Sequence, residues 1–177
     1  IYSGCCNMSE SRSEIAKIIE NQQMNKNSSV DETKIQKRTV VFCFLLNDKK
    51  YAIGIEYIDS ISEVVTITHI PTVPDYVLGI SNIKGGIVGV VELKIILNLS
   101  VNEKMASDSR IVILNVRGIK VGFLVDAITG IESIFVDKIC KPAVSNRYVV
   151  GEIKDSDDFL SILDVEQLIY QNRVDIS

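Results

Sequence analysis

Histidine is almost missing from this 177-residue chain: His69 stands alone, so no site that needs two imidazoles can form. A histidine-rich zinc centre is excluded on that ground. Cysteine is scarce and badly spaced for chemistry. Cys5 and Cys6 adjoin near the start, Cys43 and Cys140 sit singly in apolar stretches, and no C-x-x-C pair occurs. That pattern supplies neither a zinc ribbon nor a disulfide framework; it reads as two small buried hydrophobes and two tail thiols. Tyr2-Ser3-Gly4-Cys5 has no apolar core ahead of it, so it reads poorly as a lipoprotein cleavage site. No apolar run approaches the ~18 residues of a membrane-spanning helix. Basic charge is not in excess either. Nineteen Lys+Arg against 23 Asp+Glu leave a net charge of −4, which speaks against a nucleic-acid binder.

What the chain does have is globular composition, with 46% hydrophobic and 24% charged residues, enough to build a core. Its length suits one ordinary domain, or one domain with a tail. Residues 1–38 differ from the rest. They are rich in Ser, Asn and Gln and carry six positive and five negative charges, which leaves −5 on the remainder. Ile15, Ile18 and Ile19 share one helical face, with Ser11 or Ser13 as a cap, and residues 21–29 read as linker. The segment is expected to be a polar tail, largely disordered or with one short helix. Its apolar surface is too small to offset an ordering cost of ~1–2 kcal/mol per residue. A chain starting near Lys37 is therefore expected to fold on its own.

From Thr39 onward the pattern is short and β-rich. Val40–Leu46 is an almost unbroken apolar run, and Asn47-Asp48 signals a turn before Tyr51-Ala52-Ile53. Such a run implies a strand covered on both faces, by core on one side and by another domain or a partner on the other. Ile55, Ile58 and Ile61 recur every third residue, which suits a helical turn or a bent strand. Two strands follow over Gly79–Val91, joined by a glycine turn at Gly85-Gly86. Leu93, Ile96 and Leu97 mark a short helix, and Arg110–Val116 and Ile119–Asp126 form a hairpin across Arg117-Gly118. Strands at Ile131–Val136, Tyr148–Ile153 and Phe159–Ile162 complete the set, before a terminal helix capped by Asp164. The fold class is all-β with short helices, as two small barrels rather than one sandwich.

Chemistry is thin. The glycines at 85, 86 and 89 are hairpin glycines, since no helix with a Lys-Ser/Thr ending follows them. A Ser-His-Asp hydrolase would have to use His69, which lies in a strand-like stretch before Pro71 and reads as a packing or surface residue. Asp155, Asp157 and Asp158 lack the glycine and distal Glu of a calcium loop. Five Phe and six Tyr with no basic stripe among them give no stacking platform for single strands. No catalytic, cofactor-binding or metal-binding residues are expected. The apolar strand surface exceeds what one barrel can hide, which reads as a binding module.

Thr39–Val65, Gly79–Leu93, Val121-Gly122-Phe123-Leu124-Val125-Asp126 and Leu160–Leu168 together resemble the CheW-like family of bacterial chemotaxis coupling proteins. The most specific segment is Gly79-Ile80-Ser81-Asn82-Ile83-Lys84-Gly85, which is similar to the family's G-x-x-N-L-R-G and is followed by Glu92 where Asp is usual. The likeness covers residues 39–171, with 172–177 a short C-terminal tail. It implies two intertwined SH3-like five-stranded β-barrels, no catalysis and no cofactor. It also implies two partners: the regulatory domain of a CheA-type histidine kinase and the cytoplasmic tip of a chemoreceptor. Direct membrane insertion and nucleic acid are not part of it, and the location it implies is cytoplasmic, with receptor arrays at the inner face of the membrane. Phe42, Ile55 and Ile58 match kinase-contacting positions; Gly79, Asn82 and Lys84 match the receptor side. Where the family often pairs the Arg of its motif with a Glu, this chain has Lys84 and Ser60, so that ion pair is lost, with Glu63 as a substitute carboxylate. The same fold would also serve an adaptor of another kinase pathway, such as surface motility, or a domain detached from a larger scaffold.

Overall fold

The computed structural model describes residues 15–19, 37–101, 105–155 and 158–171. A short helix α1 at residues 15–19 precedes the strands β1 (Arg38–Leu46) and β2 (Lys49–Gly54). A 3-10 turn at Ile55–Tyr57 leads into β3 (Ile58–Glu63). Next come β4 (Val77–Ile83), β5 (Gly86–Glu92) and helix α2 (Leu93–Ile96). The second half runs β6 (Arg110–Val116), β7 (Ile119–Val125), β8 (Ala127–Phe135), β9 (Val149–Asp155), β10 (Asp158–Leu163) and helix α3 (Val165–Gln171).

These strands form two five-stranded sheets, ordered β8-β1-β2-β10-β9 and β3-β6-β7-β5-β4, the two intertwined barrels that the family resemblance implies. Barrel 1 takes its strands from both ends of the described chain, and barrel 2 is made of β3 to β7. Each holds an antiparallel hairpin joined in parallel to a second hairpin, β2 to β10 in barrel 1 and β5 to β7 in barrel 2.

The two hairpin turns of barrel 2 are built alike. Asn82-Ile83-Lys84-Gly85 and Asn115-Val116-Arg117-Gly118 make the same two-residue turn, with φ of 52° at both Lys84 and Arg117. In each, the Asn side chain accepts a bond from the glycine N–H, at 3.1 Å and 3.0 Å. Left-handed residues at both central positions suit the strand twist of a tight hairpin. The turn before β5 is thus Lys84-Gly85, one residue earlier than the Gly85-Gly86 expected from the glycines, because the Asn82 side chain fixes the register. The two barrels repeat each other at Tyr76-Val77-Leu78-Gly79 and Tyr148-Val149-Val150-Gly151, which enter the matching strands β4 and β9. The Tyr76 carbonyl accepts from Glu92 N–H and the Tyr148 carbonyl from Asp164 N–H, both at 2.8 Å, so the residues that open α2 and α3 are held alike.

Strand β1 explains its own unbroken hydrophobicity. Val41 and Cys43 face the interior of barrel 1, whereas Phe42, Phe44 and Leu46 enter a larger core shared between the barrels. The second face is therefore covered by this chain's own barrel 2, not by a separate partner. Barrel 2 has its own interior of Val88, Val90, Ile111, Ile113 and Leu124.

Helix α1 departs most from expectation. Ile15 and Ile19 are 3% and 5% exposed and pack into the barrel 1 core with Val41, Ile134 and Ile139. The apolar face of this short segment does not stay in water. Barrel 1 carries Cys43 where barrel 2 has Ile113 at the matching place in its hairpin, a smaller side chain within the core that takes up the two isoleucines. Removing a buried Ile side chain to Ala costs about 2–5 kcal/mol, and each kcal/mol moves Tm by about 2–4 °C at this chain length. A chain beginning at Lys37 should accordingly melt at least about 5 °C lower than the full chain, and Ile15→Ala/Ile19→Ala should reproduce most of the shift. Equal melting curves by differential scanning calorimetry would show that α1 contributes nothing to barrel 1.

Candidate functional site

The positions that match the kinase side do not behave alike. Phe42 lies opposite Ile53 and Ile131 on its two neighbouring strands and is only 3% exposed, within the inter-barrel core. Placing it directly on a partner's surface is thus corrected: Phe42 is a core residue. Ile55, on the 3-10 turn, and Ile58, the first residue of β3, are half-buried and pack on the same core from its margin. The apolar surface left open beside Phe42 belongs to Ile131, 62% exposed, and to Val40. The sequence reading missed Ile131 because its neighbour Phe42 is far away along the chain; only the β1–β8 pairing joins them.

On the receptor side, Gly79, Asn82 and Lys84 lie along one hairpin, and each has a local job. Gly79 is buried in β4 with φ +141°, and a β-carbon there would come within 2.1 Å of the Thr68 carbonyl oxygen. The close approach is made by the chain's own β3–β4 connection, where Thr68 and Ile80 exchange two backbone hydrogen bonds of 2.8 and 2.9 Å. Asn82 is exposed and spends its side-chain oxygen on the turn. Lys84 is exposed at the turn itself and makes no ion pair among the described residues. Glu63 does not substitute for the missing carboxylate; in β3 it stands opposite Arg110. Asp59, next to Ser60, pairs instead with Lys120 at 3.1 Å. His69 is exposed beside the Thr68 bridge. The described residues hold no group of three His, Cys, Asp or Glu side chains that could take a metal ion.

Charge is buried where the halves of the chain meet. Lys94 Nζ lies 2.5 Å from Asp126 Oδ1, with the lysine side chain almost wholly covered. Asp126 also accepts the Asn47 N–H at 2.8 Å, and its own N–H donates to the Leu45 carbonyl. The hairpin turn of barrel 1 is thereby tied to the last residue of the barrel 2 hairpin. Glu92 caps α2 by accepting the Lys94 N–H at 3.2 Å. Burial pushes its carboxyl above the usual range, and the Asp126 charge adds to the effect against the pull of Lys94. Burial likewise raises the Cys43 thiol to about 12, with the Glu132 charge adding, which leaves a neutral, inert thiol in the barrel 1 core.

The CheW-like domain family model matches residues 40–173, which spans both barrels and α3. The chain belongs to the CheW-like domain family. It is similar to the chemotaxis protein CheW of Bacillus subtilis, with 29% identity over 142 residues, covering 80% of this chain and 82% of that protein. The CheW of Thermotoga maritima is also 29% identical over 142 residues, covering 78% of this chain and 92% of that one. Among solved structures, the scaffolding protein TtCheW from Thermoanaerobacter tengcongensis superposes with a TM-score of 0.67 at 28% identity. It covers 75% of this chain and 92% of its own. The CheW-like domain thus accounts for the strands and α3, and α1 lies outside the matched residues.

Two outcomes follow for this CheW-like chain. Gly79→Ala should destabilise it by about 1–3 kcal/mol or more, since φ is strained for any side chain and the Thr68 carbonyl must move; Lys84→Glu should leave the urea midpoint nearly unchanged. A midpoint unaltered by Gly79→Ala would mean that the β3–β4 connection can yield freely. For Glu92 the native carboxyl binds its proton at higher pH than the unfolded one, so stability falls as pH rises through the native value. Glu92→Gln removes that slope. Relative to the parent, the variant should gain stability between acidic and neutral pH in urea titrations; a growing loss instead would mean that attraction to Lys94 outweighs the burial cost.

Proposed function

We propose that this chain is a non-enzymatic chemotaxis adaptor that couples chemoreceptors to a CheA-type histidine kinase in the cytoplasm, within receptor arrays at the inner face of the membrane. The family match over residues 40–173 carries this reading, since it takes in both barrels and relatives named as chemotaxis proteins. Two further features support it. No described helix is long and apolar enough to cross a membrane. The apolar margin of the inter-barrel core, at Ile55, Ile58 and Ile131, suits an anchor for another protein.

In this reading the kinase regulatory domain covers Ile55 and Ile58, with Phe42 supporting them from beneath, and extends over exposed Ile131. The receptor tip meets the Asn82–Gly85 turn, where the Lys84 ammonium is the group that reaches an acidic side chain. Gly79 supports that hairpin from within. The Lys84 and Ser60 departures favour a partner other than the usual one, so an adaptor for a different kinase pathway, or a domain detached from a larger scaffold, is the second reading.

The test is a calorimetric titration with a CheA regulatory domain, run beside co-sedimentation with a receptor fragment. Ile131→Asp puts a charge into the apolar contact without opening the core, and should weaken kinase binding at least tenfold while Tm holds; Ile58→Asp should do the same at some cost in Tm. Lys84→Glu should weaken receptor recruitment, leave the kinase titration unchanged, and lose most of its effect in high salt, where exposed pairs are screened. Normal kinase binding by the folded Ile58 and Ile131 variants would remove this face from the adaptor reading.

A further inference from the structure

Barrel 1 is not filled to its rim. Its sheet ends on β8 and β9, and a cavity of about 310 Å³ is lined by residues of those two strands together with Lys50, Leu160 and Lys138 of the 3-10 turn after β8. That volume lies at the lower end of what ligand pockets offer. Ile134, Ile153 and Leu160 supply apolar lining, and Lys50, Lys138 and Lys154 supply three ammonium groups. Phe135 also lines the cavity, with the Arg38 guanidinium 4.3 Å and the Lys138 ammonium 5.3 Å from its ring centroid. Among the described residues a single carboxylate, Glu132, shares the space. In a chain of net charge −4, the described lining of this cleft sets three lysines against one carboxylate, beside three aliphatic side chains and one aromatic ring.

The duplicated barrel provides an internal control. In β8, Ser133 stands opposite Val40 as Glu63 of β3 stands opposite Arg110; two residues further on, Phe135 therefore matches Val65, which lies past the end of β3. In β9, Lys154 stands opposite Phe159; the matching residue of β4, opposite Ile87, is Asn82. The aromatic and one of the ammonium groups are therefore peculiar to barrel 1 and do not come with the architecture. Among the described residues, strand β8 is hydrogen-bonded to a neighbouring strand on one side only, so its other edge has backbone groups able to pair an extended chain.

We propose that the cleft between β8 and β9 binds an extended acidic segment of a partner protein, one apolar side chain of which enters the cavity. Carboxylates on either side of that residue meet Lys138 and Lys154, and the backbone of the segment runs along the Glu132–Phe135 edge. Charge complementarity selects the acidic chain, and the apolar lining selects a residue such as Leu within it. The assignment uses none of the residues placed on the kinase or receptor side, so it stands or fails separately from the adaptor reading.

The probe is a capped peptide, Glu-Asp-Leu-Asp-Glu, titrated into the full-length ¹⁵N-labelled chain; its neutral twin, Gln-Asn-Leu-Asn-Gln, and octanoate form parallel arms. The acidic peptide should shift the amides of residues 132–135 and 153–154, and the twin should not. Lys138→Glu and Lys154→Glu, both exposed, should each weaken binding at least tenfold together with an otherwise unchanged spectrum. Absence of shifts at millimolar peptide, shifts confined to other residues, or insensitivity to both substitutions would overturn the proposal. Octanoate binding in the cavity without peptide binding would overturn it too, by making the cleft a site for small amphipathic anions.

Discussion

Two parallel strand pairs, β2 with β10 and β5 with β7, bind each half of the chain to the other. Every larger feature depends on them. Because the β1–β2 hairpin is completed by strands from the far end of the sequence, β1 is pressed between the interior of barrel 1 and the shared core. Alternate residues then serve two hydrophobic interiors at once, which is why Phe42 and Cys43 are both buried although they point opposite ways. The same exchange places the Asn47 turn against Asp126 and closes the junction with the Lys94 ion pair. At the other end, Arg117 reaches Glu166 of α3 at 3.0 Å, so a turn of barrel 2 is anchored to the helix that follows barrel 1. Much of the covered surface lies between the barrels, and neither can be drawn as an independent unit.

This arrangement separates what holds the protein together from what it offers to others. The glycine at 79 and the asparagine at 82 serve the hairpin's own geometry, and their value to a partner is indirect. Exposed groups with no such local duty are the ones free to recognise something: Lys84 at a turn tip, Ile131 on an edge strand, and Lys154 beside the barrel 1 cleft. The buried carboxylate of Glu92 belongs to the first class. It opens α2 as Asp164 opens α3, and its longer side chain carries a burial cost into the junction.

Much of this was legible in the residues. The strand boundaries around Arg117-Gly118 and the Asp164 cap follow from local chemistry, and the Gly79–Gly85 motif led to the family. The turn at Lys84-Gly85 was not read, because two adjacent glycines outweighed the one Asn side-chain bond that sets the register. Phe42 was matched to a kinase-contacting position through the family resemblance; the apolar run around it reports that both faces are covered but not by what, and long-range pairing decides that. The docking of α1 was missed for the same reason, since the pocket it fills is assembled from β1, β8 and the segment after it. One signal was present and unused. Tyr-Val-x-Gly occurs twice, at Tyr76 and Tyr148, and that repetition announces a duplicated fold in which the differences between halves are informative.

The order in which the strands appear along the chain has a consequence for synthesis. Barrel 2 is continuous from Ile58 to Val125, so all its strands leave the ribosome before β8, β9 or β10 does. The β1–β2 hairpin emerges first and is completed last. Throughout that interval the nascent chain carries an apolar hairpin whose barrel 1 face has no partner strands, attached to a barrel that is already closing. Unpaired edges of this kind are where nascent chains aggregate or are captured by chaperones. The interlock that gives the finished molecule a shared core therefore makes its first-made strands the last to be sheltered.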